Sequence, residues 1–195
     1  MILTLDENHV YHVDSRPVPI SVTGLLKFAG LIDDTWFTEY ARQRGKLTHL
    51  AIKYHNDGEL DESSLDPAIE PYFGAYVKFL VDSGFVVTGS EIPVYSEEWD
   101  YAGTQDLEGF FLRSPDIPCS ADTKTGKVQD WTQDQISLYD RARGVYRRRF
   151  ALELHRNGRY KIIMYDWWQN KQADARTLQL LKRWREEHGT SSAAD

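Results

Sequence analysis

The sequence predicts an α+β fold, a sandwich in which a central mixed β-sheet is flanked by helices. Three observations predict it. Residues 22–80 carry apolar side chains at helical spacing in successive blocks. Residues 85–124 hold three segments rich in β-branched and aromatic residues, bounded by turn formers. A helix-like block from Thr132 then precedes two more strand segments and a closing charged helix. Helices, a mostly antiparallel run of strands, a helix, a hairpin and a last helix make layers that cover one sheet.

The elements follow in order. Residues 1–14 alternate, L-T-L-D then V-Y-H-V-D, and predict a short hairpin around Asn8. Arg16 to Pro19 is a proline-marked turn. Ser21 is placed to cap a helix over 22–29 that stops at Gly30. A second helical stripe begins near Asp34 with Trp36, Phe37, Tyr40 and Ala41, and Gly45 is expected to break it. Beyond it, Leu47, Leu50, Ala51 and Tyr54 share one apolar face, with His49 off its centre. Residues 56–66 form an acidic loop without calcium-loop spacing. Pro67 is expected to open a helix that ends at Ser83-Gly84.

Strands are predicted over 85–95, 101–112 and 117–124. Thr132 is read as the cap of the helix carrying Gln135 and Tyr139. Strands over 150–155 and 160–167 join through R-N-G-R, where Asn157-Gly158 reads as a two-residue hairpin turn. The last helix covers 173–187. One domain is expected over residues 1–188, with a flexible tail at 189–195.

Composition sets bounds. At 195 residues, 41% hydrophobic and 13% aromatic, the chain has the material for one real core and is neither disordered nor fibrous. A net charge of −7 disfavours non-specific nucleic-acid binding by the chain as a whole but leaves room for a local basic surface. Carboxylates gathered around a bound cation also raise the acidic count. The single cysteine, Cys119, excludes an intrachain disulfide, fits a reducing compartment and reads as a small core residue. The start, M-I-L-T-L-D-E-N, lacks the basic and apolar regions of a signal peptide, and no stretch reaches the roughly 20 apolar residues of a membrane span. A cytoplasmic protein without a membrane partner is expected.

The chemistry concentrates between Gly103 and Tyr139. Asp106 lies in G-T-Q-D, and Asp122, Thr123 and Lys124 lie in A-D-T-K. On a strand, Asp122 and Lys124 project from the same face, while Thr123 points away with its carbonyl still free to face the site. If the two strands pair, Asp106 can stand across from Asp122. Two carboxylates so placed suit a hard cation, Mg²⁺ or Mn²⁺, with Lys124 beside the attacking water or a phosphate. That is equipment for metal-assisted cleavage of a phosphodiester. Glu108 shares the face of Asp106 as a backup carboxylate. Gln135 and Tyr139, one helical turn apart, share a face that can approach a nucleic-acid backbone or support Lys124. Lys127 and the arginines at 141, 143, 147, 148 and 149, Arg147 and Arg148 foremost, are candidate phosphate contacts. Tyr146, Trp167 and Trp168 could stack on bases, although core packing is the expectation for most such aromatics.

This ordered set resembles the PD-(D/E)xK nuclease superfamily, and within it the RecB-like and phage-type exonuclease branch. The family pattern looks like His49, Glu91, Gly103 to Asp106, Asp122 with Lys124, and Gln135 with Tyr139, after an opening Ser21 to Thr23, across roughly residues 19–168. The resemblance implies a restriction-endonuclease-like core and a deoxyribonuclease dependent on Mg²⁺ or Mn²⁺. It implies metal ligands at His49, Asp106, Asp122 and the carbonyl of Thr123, and catalytic roles for Asp106, Asp122, Lys124, Glu91 and Gln135. The imidazole suggests that Mn²⁺ serves at least as well as Mg²⁺. The implied substrate is linear duplex or single-stranded DNA, cut by an exonuclease of recombination, repair or phage DNA processing. Such a protein could work with a recombination or replication partner or as a homo-oligomer. Some relatives hold an iron–sulfur cluster on four cysteines; with only Cys119, this chain has no such cluster. Two alternatives stay open: a nucleic-acid-binding module with a nuclease fold and no cleavage, and an endonuclease of the same superfamily.

Overall fold

The computed structural model describes residues 1–33 and 38–189. A small sheet of β1 (Leu3–Leu5), β2 (Tyr11–Val13) and β3 (Arg16–Pro17) opens the chain. β1 and β2 form the hairpin expected around Asn8, and the stretch read as a proline turn instead adds a third strand. The reversal between β2 and β3 uses Asp14 and Ser15, both at positive φ.

The central sheet has six strands: β4 (Ile20–Ser21), β5 (Phe85–Ser96), β6 (Tyr101–Phe111), β7 (Ser114–Lys124), β8 (Arg148–Leu154) and β9 (Tyr160–Met164). Their order is β4-β6-β7-β8-β9, with β5 along the other edge of β6. β4–β6 and β7–β8 are parallel and the other pairs antiparallel, so the sheet is mixed. Helices flank it: α1 (Val22–Phe28), α2 (Glu39–Asp57), α3 (Glu70–Ser83), α4 (Thr132–Ala142) and α5 (Trp167–His188). The α+β sandwich expected from the sequence is the fold observed.

Two cores set the layers. On one face α2 and α3 pack Ala51, Phe73, Tyr76 and Phe79 against Leu107, Cys119, Ala121, Phe150 and Leu152. On the other, α1, α4 and α5 pack Val22, Leu25, Leu26, Leu138 and Leu181 around Val94 and Tyr101. Alternation along β7 follows directly: Cys119 and Ala121 enter the first core, while Ser120, Asp122 and Lys124 turn toward α4. Cys119 is fully buried, as expected of a small core residue.

Helix ends follow local chemistry with some departures. Ser21 caps α1 through Gly24 N–H, as expected. α2 runs through Gly45 without a break; the tertiary packing of its buried Thr48, Ala51 and Ile52 outweighs the roughly 1 kcal/mol cost of glycine in a helix. Asp34, Trp36 and Phe37, expected to begin that stripe, lie outside the described residues. α3 begins at Glu70 rather than Pro67, with Pro71 in its first turn, and ends at Gly84 in the left-handed region. The N-cap of α4 is Trp131, not Thr132, whose buried Oγ1 has no hydrogen-bond partner among the described residues.

The β8–β9 turn holds three residues, not two. Gly158 N–H donates to His155 O, His155 N–H donates to Arg159 O, and Gly158 takes the positive φ the bulge needs. β9 ends at Met164, and α5 starts at Trp167, earlier than its periodicity suggests, because Asp166 and Gln169 form a reciprocal capping box. That early start leaves Trp167 and Trp168 on the surface, and Tyr146 is exposed too, contrary to the expectation of core packing. No described helix is long and apolar enough to cross a membrane.

Candidate active site

Three adjacent strands carry one carboxylate each at the same level. The register Ser90↔Leu107 and Ile92↔Gln105 sets Glu91 of β5 opposite Asp106 of β6. On the other side, the β6–β7 ladder ends at Leu107↔Ala121, one step short of Asp106 and Asp122. There a side chain takes over from the ladder: Thr123 donates its backbone N–H to Asp106 Oδ2 at 2.7 Å and its hydroxyl to the same oxygen at 3.0 Å. Glu91 adopts φ 49°, a left-handed conformation for a non-glycine residue within a strand. Such backbone costs on the order of 1–3 kcal/mol and is held in place by surrounding packing.

His49 reaches this row from α2. Its Nδ1 lies 3.0 Å from Glu91 Oε1 and 3.6 Å from Asp106 Oδ2. Its Nε2 lies 3.1 Å from the carbonyl of Thr123. Acceptors at both ring nitrogens suit an imidazolium, which donates from each. Burial disfavours that charge, but Asp106 and then the hydrogen bond and charge of Glu91 outweigh it and raise the pKa to about 9. One ligand atom from each of His49, Glu91 and Asp106 falls within 4.8 Å of the others.

Asp122 is fully buried. Its Oδ2 lies 2.5 Å from Lys124 Nζ, yet neither oxygen accepts a directed hydrogen bond among the described residues. Burial, followed by the charge of Asp106, pushes its pKa up to about 7. Lys124 stays an ammonium: burial opposes its charge, but Asp122 and Asp106 more than compensate and raise its pKa. Its Nζ also donates to Gln135 Oε1 at 3.1 Å, and Gln135 Nε2 donates to Tyr139 OH at 2.8 Å. Gly103 makes room for this relay, since a Cβ there would meet Tyr139 Cε1 at 2.7 Å and Val22 Cγ2 at 2.8 Å.

The acidic and histidine cluster is equipped to hold a divalent metal. Among the described residues, three carboxylates here face only Lys124 and the imidazolium of His49 as positive charges, so the cluster carries excess negative charge that a cation would offset. The donors are mostly oxygen with a single imidazole, a set for hard or borderline cations.

The structure brings His49, Glu91, Asp106, Asp122, Thr123, Lys124, Gln135 and Tyr139 together. The carbonyl of Thr123 faces His49. Tyr139 is buried behind Gln135. Lys127 is exposed on the loop after β7, and Arg148 is half-buried at the start of β8. Arg147 and Arg143 both bind Glu108, which therefore is not a spare carboxylate of the cluster. Arg149 is buried against Asp140 and Asp174. Much of the expected basic surface is thus neutralised within the fold. Trp131 escaped the sequence reading: its ring lies 5.3 Å from Lys124 Nζ, and only its place just ahead of the Gln135 helix could have signalled it.

No family model matches the chain, and a search of curated proteins finds no match. Among solved structures, it is similar to a protein of Eubacterium rectale provisionally designated an exonuclease. That match has a TM-score of 0.51 at 12% identity and covers 88% of this chain and 75% of the other. A second match, LHK-Exo in complex with dAMP, has a TM-score of 0.34 at 12% identity and covers 84% of this chain and 80% of the other. The first likeness, at that identity, shows a shared fold.

Proposed function

We propose that this chain is a divalent-metal-dependent deoxyribonuclease of the PD-(D/E)xK type, acting as an exonuclease on linear DNA from a single domain over residues 1–188. The observation that carries this reading is the pairing of the aligned carboxylates of Glu91, Asp106 and Asp122 with a half-buried lysine, Lys124. The fold shared with the Eubacterium rectale protein, itself provisionally designated an exonuclease, supports it.

His49, Asp106, Asp122 and the carbonyl of Thr123 would hold the cation, with Glu91 as a further carboxylate of the cluster. When bound, it would supply Lewis acidity to a phosphodiester and lower the pKa of a coordinated water. The chain's own residues do the rest. Lys124, held by Asp122 and Gln135, presents a fixed positive charge where negative charge develops on the phosphate. Gln135 fixes the direction of that ammonium and is itself fixed by Tyr139. Glu91 and Asp106 orient His49 through Nδ1. Lys127 and Arg148 are the free-standing candidates for backbone phosphates; a role in recombination, repair or phage DNA processing would suit such an enzyme.

The test is incubation with end-labelled linear DNA and with covalently closed DNA, in Mn²⁺, Mg²⁺ or chelator, alongside Lys124→Ala. Metal-dependent shortening from the ends, absent in the variant, is expected. Cutting of closed circles would make the protein an endonuclease. Binding without cleavage, equal in both proteins, would overturn the catalytic reading.

A further inference from the structure

A second feature adjoins the site on the α4 and α5 side of the sheet. A cavity of about 770 Å³ lies between the loop after β7, the end of β9 and α5. Its wall includes Trp131 and Tyr165 together with Val128, Ile163 and Gln133. None of the carboxylates described above lines it.

Its place relative to the carboxylates follows from strand register. Asp122 pairs with Ala151, and Ala151 pairs with Ile163. Two strand spacings separate Asp122 from Ile163, about 10 Å. Tyr165, just past the end of β9, lines the cavity beside Ile163. Trp131 joins the two regions directly, since it lines the cavity and also stands over Lys124. The cavity wall at Ile163 is therefore about 10 Å from Asp122 across the sheet, and Trp131 spans the interval.

Gln133, in the cavity wall, carries a buried polar group without a partner among the described residues. Gln133 is 8% exposed, and its Nε2 is buried with no hydrogen-bond acceptor among the described residues. A buried amide N–H costs free energy unless something accepts from it. By contrast, Asp134, also in the wall, is fully engaged by Arg176 through Nε and Nη2. The cavity thus offers two aromatic side chains and the Gln133 amide, with Asp134 neutralised by Arg176 and Asp130 as a second acid in its wall. Flat heterocycles with ring-nitrogen or carbonyl acceptors match that set: aromatics stack on every base, and an amide donor reads an acceptor edge. The volume is within the ordinary range for a small-ligand site.

We infer that this cavity is a nucleobase pocket that takes a base of the substrate strand next to the scissile phosphate, with Trp131 and Tyr165 as apolar walls and Gln133 Nε2 as the donor to the base. The placement rests on the nuclease reading; the pocket itself does not.

Two arms test it separately. In the first, end-labelled oligonucleotides differ only by an abasic tetrahydrofuran unit at one of the first three positions from the end. Wild-type protein should lose about tenfold in kcat/KM at one position, and Gln133→Leu and Tyr165→Leu should reduce that penalty to under twofold. An equal rate at all positions, or a penalty unchanged in both variants, overturns the inference. In the second, nucleoside monophosphates and deoxyribose 5-phosphate are titrated into wild-type and Gln133→Leu proteins in chelator, with binding read by calorimetry. Base-dependent binding that weakens in the variant supports the pocket even if no DNA is cleaved. Equal binding of the base-free sugar phosphate, or no binding at all, overturns it. Absence of any cleavage with base-dependent binding retained would remove the nuclease reading alone.

Discussion

Thr123 and Asp106 meet where the β6–β7 ladder stops: the backbone N–H of Thr123 donates to Asp106 Oδ2 at 2.7 Å. A carboxylate stands where a strand carbonyl would otherwise accept. The sheet parts at this point while its amide stays satisfied. Asp106 is therefore bound on one side by Thr123 and faces His49 on the other.

Cation binding should release protons. His49 holds a proton up to a pKa of about 9 and Asp122 up to about 7, and a ligand must give its proton up. Apparent affinity for Mn²⁺ is expected to rise with pH from 6 to 9. Calorimetry at pH 7 in buffers of different ionisation enthalpy should show about one proton or more released per ion. A count of zero would remove His49 from the ligand set.

Asp122→Asn should abolish cleavage and stabilise the metal-free fold. The folded pKa of Asp122 is raised from 3.8 to about 7, so its contribution favours the fold below pH 3.8 and is lost as pH rises through about 7. At pH 8 in chelator the variant is expected to gain on the order of 1 kcal/mol in urea denaturation, because the unpaired Lys124 offsets part of the relief. Near pH 5 the difference should shrink. A variant less stable than wild type at pH 8 would contradict this account.

Glu91→Gln should lower the pKa of His49. Asp106 makes the largest favourable contribution to the imidazolium, and Glu91 adds both a hydrogen bond and a charge. Imidazole NMR titration in chelator is expected to move the midpoint from about 9 toward 6.5. The variant keeps the left-handed backbone at position 91, so activity should fall roughly 10-fold to 100-fold without a gain in stability. An unmoved midpoint would mean that Glu91 does not hold His49.

Gly103→Ala should act on Lys124 from a distance. The added methyl would press on Tyr139 and Val22, and Tyr139 fixes Gln135, which fixes Lys124. Overpacking of this kind costs about 1–3 kcal/mol. kcat is expected to fall more than KM rises, and a Gly103→Ala, Tyr139→Phe double variant should not recover it, since the ring edge still collides. Full activity with a normal melting temperature would show the relay to be slack.

Much of this was legible in the sequence. Period-two and period-3.6 patterns located the strands and helices, and Ser21, Gly84 and the Asp122–Lys124 spacing gave a cap, a stop and a shared face from chain geometry alone. Those features depend on a few neighbouring residues. Tertiary structure decided what depends on distant ones. Gly45 remains helical because α2 is packed, and Arg143 and Arg147 are spent on Glu108 because the end of α4 lands beside β6. Trp167 and Trp168 are exposed because Asp166 starts α5 early. Most of all, the row of Glu91, Asp106 and Asp122 arises from registers between three strands that span more than thirty residues of chain. No single segment encodes that alignment; it is set by the packing of the two cores on either face, which holds like charges together until a cation or a proton offsets them.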